Sequence, residues 1–285
     1  MEKVFMSKEI SSQKLVEMYQ KLGRKLNGRI AVKVHSGEDG NQNYLKPEFL
    51  KPLVEEVDGT IVECNTAYEG ARNTTQKHKE LMKKHGWTKL YNVDILDETD
   101  QIELPIEGGK RIKTNYVGEH IKNYDSLLVV SHFKGHPMGG FGGALKNISI
   151  GIASSYGKAY IHGAGKPDQM WTAAHDSFLE SMADASKSIM DYFQDNIVFI
   201  NIMCNMSVDC DCCAQAEDPC MKDIGILAST DPVALDQACI DLVYQSTDPG
   251  KEHLIERIES RNGIHTIEAA DEIKVGTRQY ELIEI

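Results

Sequence analysis

The chain has 285 residues, 31 basic and 43 acidic side chains, and a formal net charge of −12. That length suits one large α/β domain or two lobes and is enough to bury a sizeable core. The acidic balance argues against a nucleic-acid or anionic-membrane surface, because both need basic patches; a small basic pocket for an anionic molecule stays open. No apolar run approaches the roughly 20 residues of a membrane span, and the first residues, MEKVFMS, lack a signal-peptide apolar segment. The expectation is a cytoplasmic protein whose seven cysteines are thiols or metal ligands rather than disulfides.

Taken in chain order, residues 11–26 read as a helix with Leu15, Met18, Tyr19 and Leu22 on one face. A half-buried strand is expected at 29–35, a helix at 47–57 with its proline in the first turn, and a strand at 60–63. Residues 64–75 connect that strand to a helix over 74–85, which Gly86 closes. Arg72, within this connection, suits bidentate contact with an anion, against the plainer reading of a solvated surface arginine. A strand at 90–93 and a hairpin over 102–113 with Gly108-Gly109 at its turn follow, then an apolar strand at 126–131. The longest helix is expected over 168–193, with a stripe that begins at Trp171 and Ala174. Strands at 196–203, 224–228 and 280–285 complete the pattern, with Asp231 as N-cap and Pro232 as first helical residue after the second of these. Strands alternating with helices define an α/β fold, a largely parallel sheet flanked by helices, in one domain over 1–285.

The seventeen residues SHFKGHPMGGFGGALKN, 131–147, carry the chemistry. They hold His132, His136, Lys134, Lys146 and five glycines directly after an apolar strand, where α/β sheets collect ligands. Gly139, Gly140, Gly142 and Gly143 suit an amide-lined cradle for phosphate or carboxylate. The spacing is neither the dinucleotide fingerprint nor the P-loop. His132, His136 and Lys134 are the acid–base candidates, and a neutral histidine is also the commonest side-chain metal ligand. The plainer alternative is a flexible glycine loop with solvated side chains.

A second cluster is Cys204, Cys210, Cys212, Cys213 and Cys220, spaced C-x5-C-x-C-C-x6-C. Thiolates bind zinc, iron–sulfur or copper(I), yet no C-x-x-C pair occurs, so free or redox-active thiols and a structural loop stand beside metal binding.

The segments SHFKGHPMGGFGGALKNISIGIAS and DIGILASTDPVALDQACIDLVY, with the tail from Leu254, resemble the family called domain of unknown function 362. That family has no settled activity. Some members carry C-x-x-C-x-x-C-x-x-x-C-P motifs; this chain has none, so cluster binding is not carried over. Over about thirty residues, His136, GGFGG, Lys146, Gly151-Ile152 and His162 are similar in order to the nickel-pincer lactate racemase family, although Ile150 stands where that family has proline. This second resemblance implies a cofactor-anchoring role for Lys146, nickel ligation by His162 and an acid–base role for His136. Together these readings describe a metal- or cofactor-dependent enzyme moving a proton or hydride on a small anionic metabolite, the metal being nickel, zinc or iron. The alternatives are an iron–sulfur or thiol redox protein using the 204–220 loop and a non-catalytic ligand-binding module.

Overall fold

The structure, a computed structural model, describes residues 1–285. In chain order the strands are β1 (Glu2–Ser7), β2 (Ile30–Lys33), β3 (Thr60–Glu63), β4 (Val93–Ile95), β5 (Gln101–Pro105), β6 (Thr114–Gly118), β7 (Ser126–His132), β8 (Lys134–His136), β9 (Gly140–Gly142), β10 (Ile197–Met203), β11 (Gly225–Ser229) and β12 (Tyr280–Glu284). The helices are α1 (Ser12–Lys21), α2 (Pro47–Glu56), α3 (Thr75–Lys84), α4 (Trp87–Leu90), α5 (Ala144–Ser149), α6 (Ser155–His162), α7 (His175–Phe193), α8 (Pro232–Gln245), α9 (Lys251–Ser260) and α10 (Ile264–Glu272). None is long and apolar enough to cross a membrane.

Eight strands form one sheet in the order β12-β1-β11-β10-β7-β2-β3-β4, and only β11 runs against the rest. From β2 the chain winds outward through β3 to β4; it then restarts at β7 on the other side of β2 and proceeds to β10. The order therefore reverses between β2 and β7, the crevice where such sheets bind ligands. Both faces of the central strands are covered, so β7 reads SLLVVSH rather than alternating with polar residues. Leu127 and Val129 face one apolar cluster with Phe199, Leu145 and Leu235, while Leu128 and Val130 face a second with Leu15, Leu50 and Trp87. A third cluster beside the sheet joins Ile106, Ile112, Ile161 and Phe178 from the β5–β6 region, α6 and α7.

Local signals explain most boundaries. The Ser11 hydroxyl accepts from the Lys14 amide to start α1. Gly23, at φ +64°, ends that helix at Lys21, five residues before the expected 26, because a left-handed residue breaks the ladder. Asp231 caps α8 by accepting from Val233 and Ala234 at 2.8 and 3.0 Å, as the Asp-Pro pair predicts. Three expectations are corrected. The 90–93 strand is displaced to Val93–Ile95, because Trp87 to Leu90 close a short helix that buries Trp87. The hairpin turn is wider than Gly108-Gly109, since the Asp184 carboxylate gathers the amides of Lys110, Arg111 and Ile112 and holds the loop open. The long helix begins at His175, so Trp171 and Ala174 leave its stripe, and Trp171 stands 65% exposed in the preceding loop.

Candidate active site

A cavity of about 360 Å3 opens at the carboxyl ends of β2, β3 and β7, at the reversal of strand order. The 131–147 segment forms one wall as a structured unit: β7 ends at His132, β8 and β9 make a small hairpin, and α5 carries Lys146 and Asn147. Glycine is needed there for packing. A Cβ on Gly135 would lie 2.3 Å from the Val208 carbonyl oxygen, and one on Gly143 would lie 2.3 Å from Asp236 Oδ1. Gly140 makes the hairpin turn at φ +79° and abuts Gly263. Gly142 and Gly143 line the cavity, whereas Gly139 and Gly140 form the turn.

The first amides of α5 are taken by the protein itself. The Ala144 and Leu145 amides at the start of α5 donate to Asp236 at 2.8 and 2.9 Å, and Asn201 Nδ2 donates to the same carboxylate at 2.7 Å. Asp236 is fully buried, and burial pushes its carboxyl up to about 6 despite these donors. Asp236, off the apolar stripe of α8, thus fixes the glycine segment.

The cavity wall carries five cations: Lys33, Arg72, Lys134, Lys146 and Lys158. Three are paired. Lys33, 1% exposed, lies 2.8 Å from Glu63 Oε2 and 3.0 Å from Asn147 Oδ1. Arg72 Nε donates to Glu38 at 3.1 Å and its Nη2 to the Tyr68 hydroxyl at 3.2 Å. Lys134 Nζ lies 2.9 Å from Asp211 Oδ2. Burial would raise the Asp211 carboxyl, but His132 and Lys134 override it and hold the group far below the usual carboxylate range. Glu63 behaves alike, with burial opposed by Lys33 and the neighbouring His35, His78 and Arg72. Lys158 donates only to the Ala153 carbonyl, at 2.6 Å, and Lys146 makes no hydrogen bond or ion pair within the chain. The wall therefore keeps two cations without a protein counter-charge.

Three of the four histidines on this wall, His132, His136 and His162, differ in what their ring nitrogens meet. His132 Nδ1 faces Asp211 at 2.9 Å and Nε2 faces the Cys204 carbonyl at 2.6 Å, so only a doubly protonated ring satisfies both. Its nitrogens are spent on the protein, as is the ammonium of Lys134. His136 Nδ1 accepts from the amides of Met138 and Gly139 at 3.1 and 2.9 Å, which assigns the neutral proton to Nε2. His162 Nδ1 donates to the Lys158 carbonyl at 2.7 Å, which leaves the Nε2 lone pair free. Burial first, then Lys146, pushes the His136 ring down to about 4. Burial, aided by Lys146 and Lys158, does the same to His162. His162 is also held flat against Phe178, with ring centroids 4.7 Å apart.

The cysteine loop after β10 folds over the same strand ends, tied by the Gly135 amide to the Ser207 carbonyl at 2.8 Å and by Asn41 Nδ2 to the Cys213 carbonyl at 2.9 Å. Cys210 and Cys212 line the cavity, and their sulfurs with a His136 ring nitrogen lie within 4.8 Å of one another. His162 is outside that group. Cys213 packs beside it, and Cys212 draws the Cys213 thiol down. Cys204 lies in the second apolar cluster, where burial pushes its thiol up to about 12, and Cys220 bonds the Met206 carbonyl at 3.2 Å. The five cysteines therefore do not converge as one four-thiolate set. The two cavity thiols suit a soft metal. The His136 ring, as hydrogen-bonded, does not, because ligation by Nε2 calls for the proton on Nδ1, where two amides donate. His162 has the polarity a metal-ligating histidine needs, a donor bond to a carbonyl behind it.

Lys33, His35, Glu63, Lys158 and the carboxylate of Asp211 escape the sequence reading. Lys33 and Glu63 are charged residues ending apolar strands, a signal legible once the strand ends are known to share a crevice. Lys158 carries no such mark, because its burial depends on how α6 closes against β6. Gly157 permits that closure, since a Cβ there would lie 2.0 Å from the Tyr116 carbonyl oxygen.

A mostly parallel, doubly wound sheet with a cation-lined crevice at its reversal point defines the fold as α/β. The chain belongs to the family described as Domain of unknown function (DUF362), whose model matches residues 30–241. Similar solved structures include the lactate racemase apoprotein from Thermoanaerobacterium thermosaccharolyticum, at 14% identity, covering 86% of this chain and 58% of that one with a TM-score of 0.49. Another is a protein from Thermotoga maritima, at 13% identity, covering 92% of this chain and 58% of that one with a TM-score of 0.46. The chain thus spans under two thirds of the length of either. No curated protein matches it.

Proposed function

We propose that the cavity binds a small anionic organic molecule and shuttles a proton on it between His162 and His136. The carrying observation is the pairing of two uncompensated cations, Lys146 and Lys158, with two histidines of opposite hydrogen-bond polarity in one pocket. An anion supplies the missing counter-charge. The free Nε2 lone pair of His162 accepts a proton, and Nε2–H of His136 delivers one. His132 and Lys134 hold Asp211 and the loop above rather than the reacting atoms. A bound anion also raises both rings toward the range where proton transfer is efficient, because it stabilises imidazolium. Calorimetric titration with lactate, malate and inorganic phosphate tests the reading. Lys146→Gln is expected to weaken carboxylate binding about tenfold, roughly the 1.4 kcal/mol of one charge-assisted bond. Wild-type protein that binds none of these would remove the basis of the proposal.

A second reading, a thiolate metal centre at Cys210 and Cys212, is favoured by the closeness of their two sulfurs on the cavity wall. A metal held there would polarise an oxygen of the bound molecule. Elemental analysis of anaerobically purified protein separates it from the metal-free reading.

A further inference from the structure

We propose that Lys158 is a covalent catalytic residue that forms an imine with a 2-oxo carboxylate held in the cavity. The inference rests on the anion reading above and names the substrate class that the same site would take.

Lys158 is the only one of the five cavity-lining cations that is both buried, at 8% exposure, and free of a carboxylate partner. Its one hydrogen bond, to the Ala153 carbonyl, leaves the remaining Nζ valences without a protein partner on a residue that lines the pocket. Burying an unpaired ammonium is costly, and a chain that needed only a positive charge there would be served by the half-buried Lys146. A desolvated lysine without an ion-pair partner is the arrangement that frees an amine for attack on a carbonyl. Burial lowers the Lys158 ammonium, in keeping with this geometry. The neighbouring groups complete the chemistry. His162 lies one helical turn on, with its Nδ1 on the Lys158 carbonyl, and Lys146 also acts on the His162 ring.

The step balances without a redox partner. The Nζ lone pair of the neutral amine attacks the keto carbon, and the C=O π pair moves to oxygen. Nζ gives up its two protons in turn, and the oxygen takes up two, relayed through His162 Nε2 and His136 Nε2–H. Water leaves, and a C=N bond joins Lys158 to the former keto carbon. Lys146 holds the carboxylate. Protonated on nitrogen, the imine draws electrons from the adjacent carbon and makes its proton available to His162.

Pyruvate with sodium borohydride is the probe. Reduction of the C=N bond traps the adduct, which intact mass and peptide mapping locate. The expected result is one reduced pyruvate per chain on Lys158, and none on Lys158→Met. Lys158→Arg keeps the charge and the Ala153 bond yet cannot form an imine, so it is expected to fold, to bind pyruvate by calorimetry and to remain unlabelled. Labelling that is spread over surface lysines, or that persists in Lys158→Arg, overturns the proposal. Pyruvate binding by the wild type without an adduct overturns it while sparing the anion reading. Absence of pyruvate, lactate and phosphate binding overturns both.

Discussion

His136 and His162 present opposite ends of the imidazole to one cavity: Nδ1 of His136 accepts from the Gly139 amide at 2.9 Å, whereas Nδ1 of His162 donates to the Lys158 carbonyl at 2.7 Å. Backbone groups thus set the two rings as a proton donor and a proton acceptor before any ligand arrives. No side-chain partner could do so as firmly, because these amides and this carbonyl belong to a tight turn and a helix end.

The same geometry makes the metal-free protein acid-sensitive. His136 falls from the ordinary 6.5 to about 4, so the unfolded chain binds more protons between those values. Its contribution is fully present above pH 6.5 and is lost as pH falls toward 4. Urea denaturation is expected to show a decline on the order of 2–3 kcal/mol from this ring. His136→Gln should flatten the profile over that window, and an unchanged slope would count against the buried neutral ring. His162 acts in the same direction.

Lys33 and Glu63 stand 2.8 Å apart with almost no solvent access. Lys33→Met leaves the Glu63 carboxylate buried and uncompensated, and should cost about 3–5 kcal/mol in chemical denaturation. Lys33→Met with Glu63→Gln removes both charges and is expected to recover part of the loss. A double variant no more stable than the single one would show that the pair is not coupled.

Asp236 collects two amides from α5 and an amide side chain from β10. Asp236→Ala should destabilise the fold by about 2–4 kcal/mol, since it orphans buried donors at the start of α5. Gly143→Ala attacks the same contact from the other side, with a Cβ that would sit 2.3 Å from Oδ1. Its expected cost is about 1–3 kcal/mol, with weakened lactate binding, because α5 carries Lys146. Wild-type melting and binding in both variants would rule out this anchoring.

For the thiols, titration with cadmium is expected to give a thiolate charge-transfer absorbance that Cys210→Ser and Cys212→Ser abolish. Cys204→Ser and Cys220→Ser should leave it, because their sulfurs lie elsewhere. His136→Gln should lower affinity less than either cysteine change. An equal loss would mean that the ring turns to ligate the metal.

Much of this protein is written locally. Periodicity and caps place every strand of the large sheet except β1, with β4 displaced, and the helices α1, α2, α3, α7 and α8, since Ser11, Asp231 and the glycines after α1 and α3 act within a few residues of themselves. The 131–147 segment announces itself through composition, and its position after β7 follows from the apolar run before it. What the glycines do was not legible: Gly135 and Gly143 are small because Val208 and Asp236, from distant parts of the chain, press against them. The reach of the cysteine loop over His136, the pairing of Lys33 with Glu63 across two strands, and the isolation of Lys158 all arise from long-range closure. A charge's meaning depends on what faces it. Sequence determined which chemical groups this chain owns and which strand ends they follow, and only the tertiary structure decided which cations are already neutralised and which are left for a ligand.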